Sequence, residues 1–265
     1  MLKVVNVSKT FNVGTVNENK VLRNVSFEMT EGDFVTVIGG NGAGKSTILN
    51  MIAGVYPIDS GSILVDGEDI SLLQEHKRAK YIGRVFQDPM VGTAANMEIE
   101  ENLAMANRRG KRRTLKWGIT DEERVFFKEH VKRLDLGLEE RLSDKVGLLS
   151  GGQRQAITLL MATLQKPKVL LLDEHTAALD PKTAKKVLNL TTQIVDEQNI
   201  TTIMITHNMK DALAIGNRLI MMYEGNIIFD VKGDDKKKLT VEDLLNKFDQ
   251  ASNGEFASDK MLLIK

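Results

Sequence analysis

The chain has 265 residues, 42% apolar and 27% charged, the proportions of a globular protein of one large domain, or of one domain with a subdomain. Its 36 Lys and Arg balance its 36 Asp and Glu, so charge gives no reason to expect nucleic-acid binding. Cysteine is absent, which excludes disulfides and thiolate metal sites.

The start, MLKVVNVSKTF, has no long apolar core of the signal-peptide kind. No run of about 18 apolar residues occurs, so any membrane role is expected to come through a partner. Leu2–Val7, Val25–Met29 and Phe34–Ile38 are rich in β-formers and bounded by polar turns, which predicts strands, with a loop over Asn12–Lys20. Ser46–Ala53 reads as a helix stopped by Gly54 and Pro57. Ser62–Val65 and Ile82–Phe86 are further strands. From about Asp88 to Leu148 the pattern turns mostly helical, and Thr120 with Glu123 forms a capping box opening a helix to about Leu134. The α/β pattern then returns. Val169–Leu172 is an apolar strand of the parallel-sheet kind, and Asp180 with Pro181 starts a helix. Thr201–Ile205 is the next strand. Arg218–Tyr223 and Asn226–Val231 flank Glu224-Gly225 as a hairpin. Asp234–Lys238 is a charge run read as a solvated loop, and Thr240–Phe248 a final helix. The expected division is a domain over 1–231 with a helical insertion at about 88–148, then a short helical tail over 232–265.

Chemistry enters at GGNGAGKST. Gly39, four residues, then Gly44, Lys45 and Ser46 match the phosphate-loop spacing, after an apolar strand and before a helix, the context that spacing requires. A glycine-rich turn alone would lack that context. Backbone N–H groups of Gly39, Asn41, Gly42, Ala43 and Gly44 form a nest for phosphate, and the helix N-terminus faces the same anion. Lys45 is expected on the β- and γ-phosphates, the Ser46 hydroxyl on Mg²⁺ and Thr47 near the α-phosphate. Asp173 and Glu174 end the strand Val169–Leu172. Such a pair suits a metal and a water: Asp173 holding Mg²⁺ through a water, Glu174 as general base, worth on the order of 10²–10⁴-fold. Alone, an acidic pair after an apolar run is common; beside a phosphate loop it points to ATP hydrolysis.

Ser150, Gly151, Gly152 and Gln153 open a helix just before that carboxylate strand. With these three motifs in this order, the sequence resembles the nucleotide-binding subunits of ABC (ATP-binding cassette) transporters, from about Leu2 to Val231. The resemblance implies an α/β fold: a P-loop NTPase core with a mostly parallel sheet, an N-terminal antiparallel β-subdomain and an inserted helical subdomain. It implies that Ser150–Gln153 contact the γ-phosphate held by an opposite subunit, so that two ATP join a homodimer along a two-fold axis. Gln87 corresponds to a glutamine that meets Mg²⁺ and water. Asp180 corresponds to a residue at the dimer seam, and equally serves as a helix cap. His207 corresponds to a γ-phosphate sensor. Phe11 takes the place of the aromatic, more often Tyr, that stacks on adenine, and would otherwise be a core aromatic.

The family usually has Pro after the catalytic Glu, where this chain has His175, a titratable group expected beside the site and resembling a subgroup of bacterial amino-acid uptake systems. Arg108, Arg109, Lys111, Arg112, Arg113 and Lys116, followed by Trp117, form a basic cluster. It reads as a solvated loop, as a contact for anionic headgroups or a permease loop, or, less simply, as a single-strand nucleic-acid surface. The functional expectation is an ATPase subunit at the cytoplasmic face of the membrane. It drives separate integral membrane permease subunits, in import of a small solute such as an amino acid, with an extracytoplasmic solute-binding protein as a further partner and no nucleic acid. The other reading is a soluble ABC ATPase of an assembly scaffold of the iron–sulfur biogenesis type. Intact Lys45, Asp173, Glu174 and His207 speak against a binding module with dead catalysis.

Overall fold

A computed structural model describes residues 1–111 and 118–252. The chain opens with β1 (Leu2–Phe11), β2 (Asn19–Met29), β3 (Phe34–Gly39) and α1 (Lys45–Ala53). It continues through β4 (Ser60–Val65), β5 (Glu68–Asp69), α2 (Glu75–Arg78) and β6 (Ile82–Val85). Helices α3 (Ile99–Asn107) and α4 (Asp121–Lys132) follow, then α5 (Gly151–Thr163). The last part holds β7 (Val169–Asp173), α6 (Pro181–Gln198), β8 (Thr201–Ile205), α7 (Met209–Ala214), β9 (Arg218–Tyr223), β10 (Asn226–Lys232), α8 (Asp234–Lys237) and α9 (Val241–Ala251).

Two sheets carry the fold. The first, ordered β2-β1-β4-β5, is antiparallel. The second, ordered β10-β9-β3-β8-β7-β6, is parallel from β9 to β6, with β10 added antiparallel at its edge. Strands β3 and β8 are buried at every residue, so they show no two-residue alternation of apolar and charged positions, and their only polar side chains are the buried threonines Thr36, Thr201 and Thr202. One core lies between the two sheets around α1 and includes Leu49, Ile52, Val37 and Ile203. A second lies on the opposite sheet face, with Leu159 of α5 and Ile194 of α6 over Leu170 and Leu172. The parallel strands all end at one side, where open α/β sheets place their ligand sites.

β1 and β2 run longer than the sequence suggests. Their pairing slips at several points, and Asn6 and Asn24 take left-handed conformations at φ 49° and 54°. Bulges of this kind break the two-residue alternation by which strands are recognised. Among the described residues, the span from Gln87 to Leu148 holds less helix than expected. Its irregular backbone is instead tied by buried Asn102, which binds the Ala94 N–H at 2.8 Å and the Glu98 carbonyl at 2.9 Å. Arg154 plays the same part ahead of α5, donating to the carbonyls of Gly147 and Leu149 at 3.0 Å.

The charge run at 234–238 is not a solvated loop. It forms α8, and Lys236 is buried, its Nζ donating to the carbonyls of Ile215 and, at 3.1 Å, Gly216. These carbonyls lie at the end of α7, where a helix leaves acceptors unsatisfied. Burial lowers the Lys236 pKa to about 8. The basic cluster is only partly a solvated surface. Arg109 caps the end of α5 through the carbonyls of Ala162 and Gln165, each at 3.1 Å. Arg108 pairs with Glu123 at 3.0 Å. Arg112, Arg113, Lys116 and Trp117 lie outside the described residues.

Candidate active site

The phosphate loop joins β3 to α1. Gly42 and Gly44 have φ of 77° and 95°, conformations a side chain strains against. Gly44 is also packed close: a Cβ there would stand 2.6 Å from Leu22. The loop's direction therefore follows from glycine where the β-sheet core touches it. Lys45 is buried, and its Nζ donates to the carbonyls of Gly39 at 2.8 Å and Gly40 at 3.0 Å. The amine is thus held over the loop concavity rather than in solvent. Thr47 follows on the first turn of α1.

Asp173 ends β7 across from this loop. Its Oδ1 accepts from the Ser46 hydroxyl at 3.3 Å, and its Oδ2 lies 3.5 Å from the Arg84 guanidinium. Burial raises the Asp173 pKa against the pull of Arg84 and Ser46. Glu174 stands in the left-handed region at φ 46°, a strain of about 1–3 kcal/mol of the kind that gathers at functional sites. Its N–H donates to Ile205 at the end of β8 at 3.2 Å. His207 lies just beyond β8 and donates from Nε2 to Glu174 Oε1 at 2.6 Å. Burial works to raise the Glu174 pKa, but the hydrogen bond and charge of His207, with Lys45 behind, leave it lowered. Glu174 is therefore a held, ionised carboxylate, able to take a proton from water near a phosphate.

Lys45, Ser46, Asp173, Glu174 and His207 thus converge at the ends of β3, β7 and β8. Gln87 is exposed just past the edge strand β6. Phe11 ends β1, packed edge-on to Tyr56 with ring centres 5.3 Å apart and Lys9 Nζ 5.5 Å from its own.

A second group forms at the start of α5. Ser150 caps the helix, accepting from the Gln153 N–H at 3.3 Å, while its own N–H donates to Gln153 Oε1 at 3.1 Å. Asp180 caps α6, accepting from Thr183 N–H at 3.1 Å. The two helix starts touch: a Cβ on Gly152 would stand 2.1 Å from Thr183 Cγ2, and one on Gly151 3.3 Å from Leu179. Close packing of the two helix starts is therefore reason enough for glycine at 152.

Three findings depart from the sequence reading. His175 is not a titratable group facing the site. It is buried beneath α6, its Nε2 3.0 Å from Thr191 Oγ1, and burial lowers its pKa to about 4. Arg84 was not singled out. Its signal was a lone cation in the otherwise uncharged strand Ile82–Phe86, two residues before the Phe86-Gln87 step. Gln155, fully buried on α5, donates to the Phe86 carbonyl at 3.1 Å and so ties the Gln87 segment to that helix.

A phosphate cradle facing a held carboxylate at the ends of parallel strands defines a P-loop ATPase. The family profile described as ABC transporter matches residues 22–177. The tyrosine transport ATP-binding protein of Clostridioides difficile (strain R20291) is 47% identical over 252 residues, 95% of this chain and 100% of that protein. The spermidine/putrescine import ATP-binding protein PotA of Haemophilus influenzae is 36% identical over 215 residues, 80% of this chain; the match spans 54% of PotA. Among solved structures, the dimeric post-hydrolysis ATP-binding cassette MJ0796 with ADP and Pi superposes with a TM-score of 0.75 at 30% identity, over 88% of this chain and 98% of that one. The ADP conformation of the cassette MJ1267 gives 0.77 at 28% identity, over 96% and 99%. This chain belongs to the ABC transporter family, as an ATP-binding and ATP-hydrolysing subunit. No helix among the described residues is long and apolar enough to cross a membrane.

Proposed function

We propose that this chain hydrolyses Mg²⁺-bound ATP between two copies of itself and so drives a membrane permease that imports a small solute such as an amino acid. The observation that carries the catalytic part is Glu174, strained, ionised and fixed by His207 within the convergence of Lys45, Ser46 and Asp173. The nest and Lys45 bind the phosphates. Glu174 accepts the proton of the attacking water, and His207 holds that carboxylate in place while standing ready for the γ-phosphate. Phe11 supports adenine, and Gln87 approaches the metal and water.

The residues present fit Mg²⁺. Among the described residues no group of three His, Cys, Asp or Glu side chains is able to hold a metal ion. Mg²⁺ characteristically needs only one or two protein oxygens beside phosphates and waters, and the Ser46 hydroxyl and Asp173 carboxylate meet at 3.3 Å. When bound, the ion neutralises charge on the phosphates.

The solute class rests on the relative in C. difficile, matched over its whole length. The partners proposed are a second copy, integral membrane permease subunits and an extracytoplasmic solute-binding protein, with the chain at the cytoplasmic face of the membrane. Glu174→Gln removes the base and is expected to trap an ATP-bound dimer, read by light scattering with ATP and Mg²⁺. A variant that stays monomeric overturns the shared-site mechanism. Affinity purification from membranes is expected to bring down a multi-span protein. Recovery of soluble assembly factors alone would favour the scaffold reading.

A further inference from the structure

Arg84 sits beside Asp173 at the strand-end cluster with one buried donor left over. It lies on β6, in register with Leu171 of β7, so it shares the sheet face of Asp173. Its guanidinium lies 4.4 Å from the centre of the Phe86 ring and 3.5 Å from Asp173 Oδ2. Its side chain is only 12% exposed, and Nε is buried without a hydrogen-bond partner among the described residues. A guanidinium carries five donors, and leaving one buried and unpaired is unfavourable. A largely buried cation held by a ring against a single carboxylate, with a donor left over, points to a role at that carboxylate.

It faces one oxygen of one carboxylate. Ser46 takes Oδ1 of Asp173 and Arg84 takes Oδ2, so the two neighbours divide the carboxylate between them. Phe86 holds the guanidinium plane on one side, and Gln155 of α5 fixes Phe86 by its carbonyl. We infer that Arg84 is a positioning residue that fixes the rotation of the Asp173 carboxylate, so that Oδ1 is presented beside the Ser46 hydroxyl to the metal ion of the ATP complex. Groups that bond to a metal-ligating carboxylate from behind typically alter metal affinity 10- to 100-fold when removed. Arg84 also lines a cleft of about 1220 Å³ with Phe86, Met105, Arg108, Glu123 and Met161, so the same guanidinium is reachable from the side of α3 and α4. This inference rests on the proposed role of Asp173.

The test measures metal binding apart from turnover. Mn²⁺ is titrated into the full chain with a non-hydrolysable ATP analogue, and electron paramagnetic resonance separates protein-bound metal from the free nucleotide complex. Arg84→Met keeps bulk without the charge and is expected to weaken Mn²⁺ binding about tenfold or more. Affinity for the nucleotide without metal should stay within about twofold. Arg84→Lys keeps the charge but loses the planar fork, and is expected to recover part of the loss. In steady-state hydrolysis the half-saturating Mg²⁺ rises more than kcat falls. Unchanged or tighter Mn²⁺ binding in Arg84→Met overturns the inference, as does a metal-free nucleotide affinity that falls by the same factor. Should Arg84→Met fail to fold, Arg84→Lys and Arg84→Gln decide by the same titration. Asp173→Asn separates the underlying reading: if it binds Mn²⁺ as the unaltered protein does, Asp173 is not a ligand. If it loses binding while the Arg84 variants do not, only Arg84 is misassigned.

Discussion

The strand-end cluster and the helix-start cluster are organised in opposite ways. At the strand ends, polar groups bond to one another. Lys45 is bound to Gly39 and Gly40, Asp173 to Ser46, and Glu174 to His207, over a core buried on both faces. Such groups are already oriented before substrate arrives, which is how electrostatic catalysis is organised. At the start of α5, the Ser150 and Gln153 side chains each bond back to the other's backbone N–H, and Ser150 and Gly151 remain exposed. That surface has a helix N-terminus and an exposed face, with the Asp180 cap of α6 beside it. Under the shared-site proposal, the first region is the reaction centre of one copy and the second completes the reaction centre of the other.

The largest effects should come from breaking the first region. Lys45→Ala removes the buried amine from the loop and is expected to weaken ATP binding by about 10²-fold or more, measured by fluorescent-nucleotide titration. His207→Ala releases Glu174 and should lower kcat by about 10²-fold, since misplacing a reacting group by about an ångström has that effect. The pairing of the two regions is tested by mixing. Lys45→Ala and Ser150→Phe chains should each be nearly inactive alone. In the mixture, each heterodimer should hold one complete site while the homodimers hold none, and turnover should partly return. Failure of the mixture to recover would mean that each chain completes its own site.

A smaller effect sharpens why the second region carries glycine. Gly152→Ala drives a Cβ into Thr183 Cγ2, a methyl group on a β-branched side chain that has little freedom in a helix. Overpacking of this kind costs about 1–3 kcal/mol. Thr183→Ser removes that methyl and keeps the hydroxyl, so the double variant should regain most of the loss in thermal unfolding. If it stays inactive while regaining stability, the glycine is needed for anion access rather than for packing alone.

The elements that bring the strand-end cluster together are largely legible in the sequence because they obey local rules. Val169–Leu172 is apolar throughout because β7 is buried on both faces, and its end marks Asp173. GGNGAGKST is readable because left-handed turns demand glycine. The unread parts depend on contacts distant along the chain. Arg78 looks like one of several charges in LQEHKRAK, yet it is buried and donates to Met51 at the end of α1. Lys236 looked like part of a surface run, yet it caps α7. Arg84 looked like an ordinary edge-strand cation, and its meaning comes from Asp173, far along the chain but adjacent in the sheet. Long cationic side chains escape pattern reading because they reach several ångströms from the backbone that the pattern describes.

His175 shows the same limit and supplies the smallest test at neutral pH. The Thr191 hydroxyl donates to the Val187 carbonyl at 2.8 Å, so its oxygen accepts from His175 Nε2–H, and the ring is held neutral. Its folded pKa of about 4 lies below the usual value of 6.5. Between these values the unfolded chain binds the proton and the folded chain does not. The contribution of His175 is therefore intact above about pH 6.5, declines as pH falls, and is lost below about 4, with a full span of about 3 kcal/mol. Other groups titrate in the same window, so the difference between chains isolates the effect. His175→Leu should unfold near the same temperature as the unaltered protein at pH 7.5, apart from the lost Thr191 bond. At pH 5 it should be relatively more stable by about 2 kcal/mol. Parallel curves for the two proteins between pH 7.5 and 5 would show that the folded ring takes up its proton as readily as the unfolded chain does, and would overturn the neutral, buried assignment.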